Sequence, residues 1–89
     1  MKLTKTDFYS KKERKFFKKH PELLNKYDEI LETLQINPFD TVLKTHKLKG
    51  NLSDFYACRL NYEYRIVCII LVQDDEVILV DIGTHDDVY

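Results

Sequence analysis

No apolar run in this 89-residue chain is long enough to cross a bilayer, and the run "IVCIILV" suits a buried strand instead. Cysteine is scarce: Cys58 and Cys68 are the only two, with neither metal-ligand spacing nor a disulfide framework. That pattern leaves buried, reduced thiols as the expectation and gives no metal site. No repeat, linker or low-complexity segment divides the sequence, so residues 1–89 read as a single small domain with one core. Charged residues stand where a secretory signal would place its apolar region, which makes the cytoplasm the expected compartment. Net charge is also nearly absent, at −1. On its face, that argues against a nucleic-acid partner.

The charge that is present is sorted. Residues 1–19 are rich in lysine and arginine, with only Asp7 and Glu13 against them. Residues 41–65 carry Lys44, Lys47, Lys49, Arg59 and Arg65 against Asp54 and Glu63. The acids gather in 22–40 and 74–87. A chain arranged this way can present a basic face while staying almost neutral as a whole.

Periodicity supplies the elements. "MKLTKT" is short and alternating, an edge-strand pattern, and "DFYSKKERKFFKKH" reads as a helix with Phe8, Tyr9, Phe16 and Phe17 on its apolar side. Pro21 fits the first turn of a second helix, in which Leu23, Leu24, Tyr27, Ile30, Leu31 and Leu34 recur at three- and four-residue steps. His20, just before Pro21, reads as a helix-start residue. Pro38 ends this helix by disfavouring the helical conformation at Asn37. Strands follow at about 53–60, 64–72 and 76–82, with turns short enough to demand antiparallel hairpins. The expected fold class is α+β: β-α-α-β-β-β, two N-terminal helices packed on one face of a small antiparallel sheet.

A three-residue turn at Asn61, Tyr62 and Glu63 would set Arg59 opposite Arg65. Tyr56, Cys58, Leu60, Tyr64, Ile66, Cys68 and Ile70 would then face the helices. Phe55, Ala57, Arg59, Arg65, Val67, Ile69 and Leu71 would face away. Strict alternation adds Ile78, Val80 and Ile82 to the helix side and leaves Val77, Leu79 and Asp81 beside the arginines. Like charges directly opposite destabilise a strand pair, so an internal acid or a bound anion is expected to offset them.

"HKLKGNLSDFYACRLNYEYRIVCII", followed by "VILVDIGTHDDVY", resembles the toxins of the RelE/ParE superfamily of bacterial type II toxin–antitoxin modules. It is most similar to the ribonuclease branches named YafQ and YoeB. Three motifs carry the likeness: the "LKG" turn, "YRIV" opening a strand, and "IGTHDDVY". The resemblance spans essentially the whole chain and implies the same order of elements.

It also implies a cytoplasmic endoribonuclease that cleaves mRNA, typically on the ribosome, with no metal or other cofactor. An antitoxin protein would hold it in check, operator DNA would be met only through the antitoxin complex, and no membrane is involved. Residue by residue, His46 matches the position of a catalytic histidine or glutamate, and Arg65 that of a catalytic arginine. Arg59 falls where these branches have a basic residue or histidine, and Glu63 and Tyr64 match an acid and an aromatic of the hairpin. His85 and Tyr89 match the histidine and final aromatic near the C-terminus; Tyr89 could equally act as an apolar clip over the sheet. The expected catalytic set is therefore His46, Arg59, Glu63, Arg65, His85 and Tyr89, with Lys47, Lys49 and Tyr64 binding RNA. Lysine belongs with backbone phosphate because its ordinary pKa lies far above neutral. Asp81 stands where the YafQ pattern has an arginine, and pairing with Arg59 or Arg65 would weaken their field. Two alternatives share the fold: a ParE-like toxin that binds DNA gyrase without catalysis, and a weakened homologue acting only through antitoxin and operator.

Overall fold

Thr6 starts the first helix by accepting a hydrogen bond from the Tyr9 amide at 3.0 Å, and Asp7 complements the helix dipole in the first turn. The computed structural model describes residues 1–88. In chain order the elements are β1 (Lys2–Lys5), α1 (Asp7–Lys19), α2 (Leu24–Ile36), β2 (His46–Lys47), β3 (Tyr56–Arg59), β4 (Tyr64–Leu71), β5 (Glu76–Thr84) and α3 (His85–Val88). Pro21 opens a separate 3₁₀ turn, Pro21–Leu23, ahead of α2. Asn37, in extended conformation before Pro38, ends α2 as the sequence implies.

The strands form one sheet in the order β1-β5-β4-β3-β2. All pairs among β2 to β5 are antiparallel, whereas β1 runs parallel to β5, so the sheet is mixed. This pairing between the first and last strands closes the sheet over most of the chain length, and no local pattern announces it. Tyr9, Tyr27, Ile30 and Leu34 of the helices are buried against Cys58, Leu60, Ile66 and Cys68 of the sheet. Phe8 is the exception on α1, 60% exposed, with the Lys12 ammonium over its ring. Both cysteines are buried and free. The hydrogen bond that Cys68 donates to Cys58, and after it burial, push the Cys68 thiol upward.

One face assignment is overturned. In β5, Val77 and Leu79 are buried under the helices, rather than Ile78 and Val80. The cause is a β-bulge: Val67 pairs with Asp81 but Cys68 pairs with Leu79, which leaves Val80 without a partner. One extra residue reverses the alternation, so both Leu79 and Ile82 reach the core.

Candidate active site

The β3–β4 hairpin sets the register on which the site depends. Asn61 starts its turn and its side-chain oxygen accepts the amides of Glu63 at 2.9 Å and Tyr64 at 2.8 Å. An asparagine in this role mimics a backbone turn and fixes the loop length. Arg59 and Arg65 are paired directly across the strands, as a three-residue loop requires. Among the described residues it is the turn itself, and no acid, that offsets the repulsion between them. One terminal nitrogen of Arg65 donates to the carbonyls of Asn61 (2.9 Å), Tyr64 (3.2 Å) and Tyr62 (3.3 Å). Arg59 Nε donates to the same Asn61 carbonyl at 3.3 Å. Among the described residues neither guanidinium has a carboxylate partner. Each fork keeps further N–H donors beyond those the turn uses.

Partners in register share a face, so the strand pairing places the other groups. His46 pairs with Ala57, Ala57 with Val67, and one step along Arg59 with Arg65 and Arg65 with Gly83. This row lies on the side turned away from α1 and α2. Gly83 puts no side chain beside Arg65 there. Under the row sits a small second core of Leu48, Ala57 and Val67, with Leu52, Phe55 and Val88 packed around it. Val88 belongs to α3, so its packing folds the end of the chain back over this face, with His85 at the start of that turn. Thr84, immediately before His85, pairs with Tyr64, immediately before Arg65. The sheet thus brings His46, Arg59 and Arg65 to one face and leads His85 to the end of the arginine row.

His46 is exposed on the edge strand, and its Nδ1 lies 3.2 Å from the Lys44 carbonyl. A carbonyl can only accept, so this contact favours the tautomer with the proton on Nδ1, which leaves Nε2 as the acceptor nitrogen. Lys44 holds a left-handed backbone, with φ of 49°, which turns the chain between the Thr41–Leu43 3₁₀ segment and β2. Lys47 and Lys49 are exposed beside His46 and share with it a cleft of about 410 Å³, floored by Leu48 and Leu52. Gly50, at φ of 68°, makes the turn of the "LKG" motif possible. Glu63 is exposed at the hairpin, next to the arginine row.

Three expectations need revision or restriction. Tyr64, expected to bind RNA, faces the helices as the three-residue turn implies and so stands apart from the arginines: its ring meets Phe16 edge-on at 4.8 Å and its hydroxyl lies 3.3 Å from His20 Nε2. It lines a different cleft of about 300 Å³, between α1 and the end of β5, with Lys15, Lys19 and His20. Asp81 pairs with neither arginine; at the bulge its carboxylate reaches Lys12 on α1 at 2.6 Å. The pairing that was expected to weaken the arginine field is therefore not the one it makes. Tyr89 lies outside the described residues. Sequence reasoning missed Asn61 and Lys44. The first was signalled by its place at the head of the turn, the second by nothing local. Among the described residues no three histidine, cysteine or carboxylate side chains converge as a metal would require.

The arrangement can be set beside known proteins. Residues 1–89 match the family described as the bacterial toxin of type II toxin–antitoxin systems, YafQ. The chain belongs to that family. A YoeB toxin from Synechocystis is 34% identical over 53 residues, a match spanning 60% of this chain and 62% of that relative. YafQ from Escherichia coli has the same fold, with a TM-score of 0.80 at 18% identity over 98% of this chain and 96% of that one. A YoeB/ParE toxin from Agrobacterium tumefaciens gives 0.78 at 20% identity, covering 96% of this chain and 99% of that one. The E. coli YafQ chain in its complex with DinJ also gives 0.78 at 20% identity, over 98% and 94% of the two chains. The mixed five-stranded sheet is that of the YafQ-like fold. No helix among the described residues is long and apolar enough to cross a membrane.

Proposed function

We propose that this YafQ-family toxin is an endoribonuclease that cleaves mRNA on the ribosome by attack of a ribose 2′-hydroxyl. The observation that carries the reading is the Arg59–Arg65 pair, facing, held by turn carbonyls and free of carboxylate partners among the described residues. Two preorganised guanidiniums suit the growing negative charge of a phosphorane, which arginine meets with paired donors. His46 takes the proton of the 2′-hydroxyl at Nε2, and the freed oxygen bonds to the adjacent phosphorus. The bond from phosphorus to the 5′-oxygen breaks, and His85 supplies the proton that oxygen needs. The products are a 2′,3′-cyclic phosphate and a 5′-hydroxyl end. Glu63 orients a ring or serves as a second base, Lys47 and Lys49 take backbone phosphate, and Tyr89 meets the substrate base. No step calls for a metal.

A cell making such an enzyme must restrain it. E. coli YafQ occurs in a complex with DinJ. By analogy, an antitoxin whose disordered, acidic segment folds on binding would cover the basic groove here, and operator DNA would be reached only through that complex. Asp81, the residue that would have favoured a non-catalytic relative, is engaged with Lys12 instead. The test is cleavage of a reporter mRNA by the purified toxin with and without translating ribosomes. Fragments ending in cyclic phosphate and beginning with 5′-hydroxyl are expected. An intact message under both conditions overturns the proposal.

A further inference from the structure

Beyond the catalytic face, a cleft of about 350 Å³ opens at the outer end of β3, between α2 and the hairpin. Its floor is apolar, made by Ile30 and Leu60, both buried. Lys26 and Lys44 stand at its edges, Arg59 forms the wall shared with the catalytic face, and Tyr62 rises from the hairpin tip. Among the described residues no acid lines it. Tyr62 is 85% exposed, the barest large apolar side chain among the described residues, and no core contact explains it. Resting on the ribonuclease reading, we infer that this cleft is a subsite for single-stranded RNA next to the scissile phosphate, with Tyr62 as the platform for a flanking base and Lys26 and Lys44 as contacts for its phosphates.

Single-strand sites combine stacking faces with cations that follow the backbone, and both are present within one cleft. Arg59 makes it continuous with the reaction centre, so a strand whose cleaved phosphate lies at Arg59 and Arg65 runs on directly into it. Lys44 joins the two places in a second way. Its carbonyl orients His46 while its side chain lines the subsite. An acidic peptide would find the same cations, but a bare aromatic face set between spaced cations matches the alternation of base and phosphate along a single strand.

The probe is a single-stranded oligoribonucleotide with 2′-O-methyl riboses, which removes the attacking hydroxyl and so separates binding from cleavage. Tyr62→Ala is expected to weaken its binding by about tenfold, within the range for loss of one stacked base, and Tyr62→Phe to restore it. Lys26→Gln and Lys44→Gln should each lower the slope of log affinity against log salt by about 0.7, as one lost phosphate contact does for a single strand. Tyr62→Ala should leave that slope unchanged. With 5-iodouridine in the oligomer, ultraviolet crosslinking should map to Tyr62. Unchanged affinity in all the variants, or absence of a crosslink at Tyr62, overturns the subsite while leaving catalysis by the wild-type protein untouched. So does a Tyr62→Ala protein that keeps RNA affinity and loses affinity for polyglutamate, which would make the cleft a protein-docking site. Failure of the wild-type protein to cleave any message removes the ribonuclease reading, and the binding arm still decides the subsite.

Discussion

Arg59 and Arg65 owe their juxtaposition to one asparagine. Asn61 closes the turn with its side chain, and its carbonyl then receives donors from both guanidiniums. The arginines are therefore held before any substrate arrives, the condition under which a charged donor acts on a transition state without reorganising. Arg65→Ala should lower the cleavage rate by about 10²–10³, equivalent to about 3–4 kcal/mol, while the melting temperature changes little. A structural arginine would show the reverse, lost stability with nearly normal cleavage. The histidines can be told apart by chemistry. Replacing the leaving 5′-oxygen with sulfur gives a leaving group that needs no proton. Rescue of His85→Ala by that substrate, without rescue of His46→Ala, is the expected outcome; equal behaviour of the two variants would undo the acid and base assignment. The facing of the two arginines was legible in the sequence, because hairpin register follows from turn length, whereas the histidines were singled out by the resemblance alone. The orientation of His46 was not legible, since it depends on a left-handed Lys44 that no residue type signals.

At the scale of elements, alternation located the helix-facing side of β3 and β4 and then failed midway along β5. The pattern "EVILVDI" contains too many apolar residues to mark a bulge, so both phases look equally buried. The bulge has a consequence at the site: it re-aims Asp81 toward Lys12 and away from the arginines. The helices are tied by a polar chain that periodicity does not reveal. The Tyr9 and Tyr27 hydroxyls are 2.7 Å apart, Tyr27 donates to Glu13, and Glu13 pairs with Lys5 of β1 at 2.8 Å. Burial, above all, raises both tyrosines above the ordinary value of 10.0. Below pH 10 folded and unfolded chains both keep these protons, and the stabilisation is complete. Above it the unfolded chain ionises first, so stability should fall by about 1.4 kcal/mol per pH unit for each tyrosine. Urea midpoints should be flat from neutral pH to about 9 and then drop; a Tyr9→Phe, Tyr27→Phe protein should lose most of that slope. A drop of equal steepness in the double variant would assign it to other groups.

For the molecule as a whole, charge is balanced in sum and divided in space. A net charge of −1 hides cations on the arginine face and in the cleft at the outer end of β3, and others along α1. Fold and charge division were both readable from the chain, whereas the parallel pairing of β1 with β5 was not, because it joins segments at opposite ends of the sequence. A surface of this kind attracts polyanions on encounter, single-stranded RNA among them. The same surface invites its own inhibitor. An acidic chain that orders on binding neutralises several cations together, and burial of its apolar residues offsets the ordering cost. Expression from a tightly repressed promoter should therefore arrest growth with the wild-type chain, and the arrest should be relieved when the antitoxin gene is co-expressed. Arg65→Ala should be tolerated without antitoxin yet still purify with it, because one cation among many contributes little to a broad interface but much to one phosphorane. Growth arrest by Arg65→Ala equal to that of the wild type would mean that the toxin acts by contact, not cleavage.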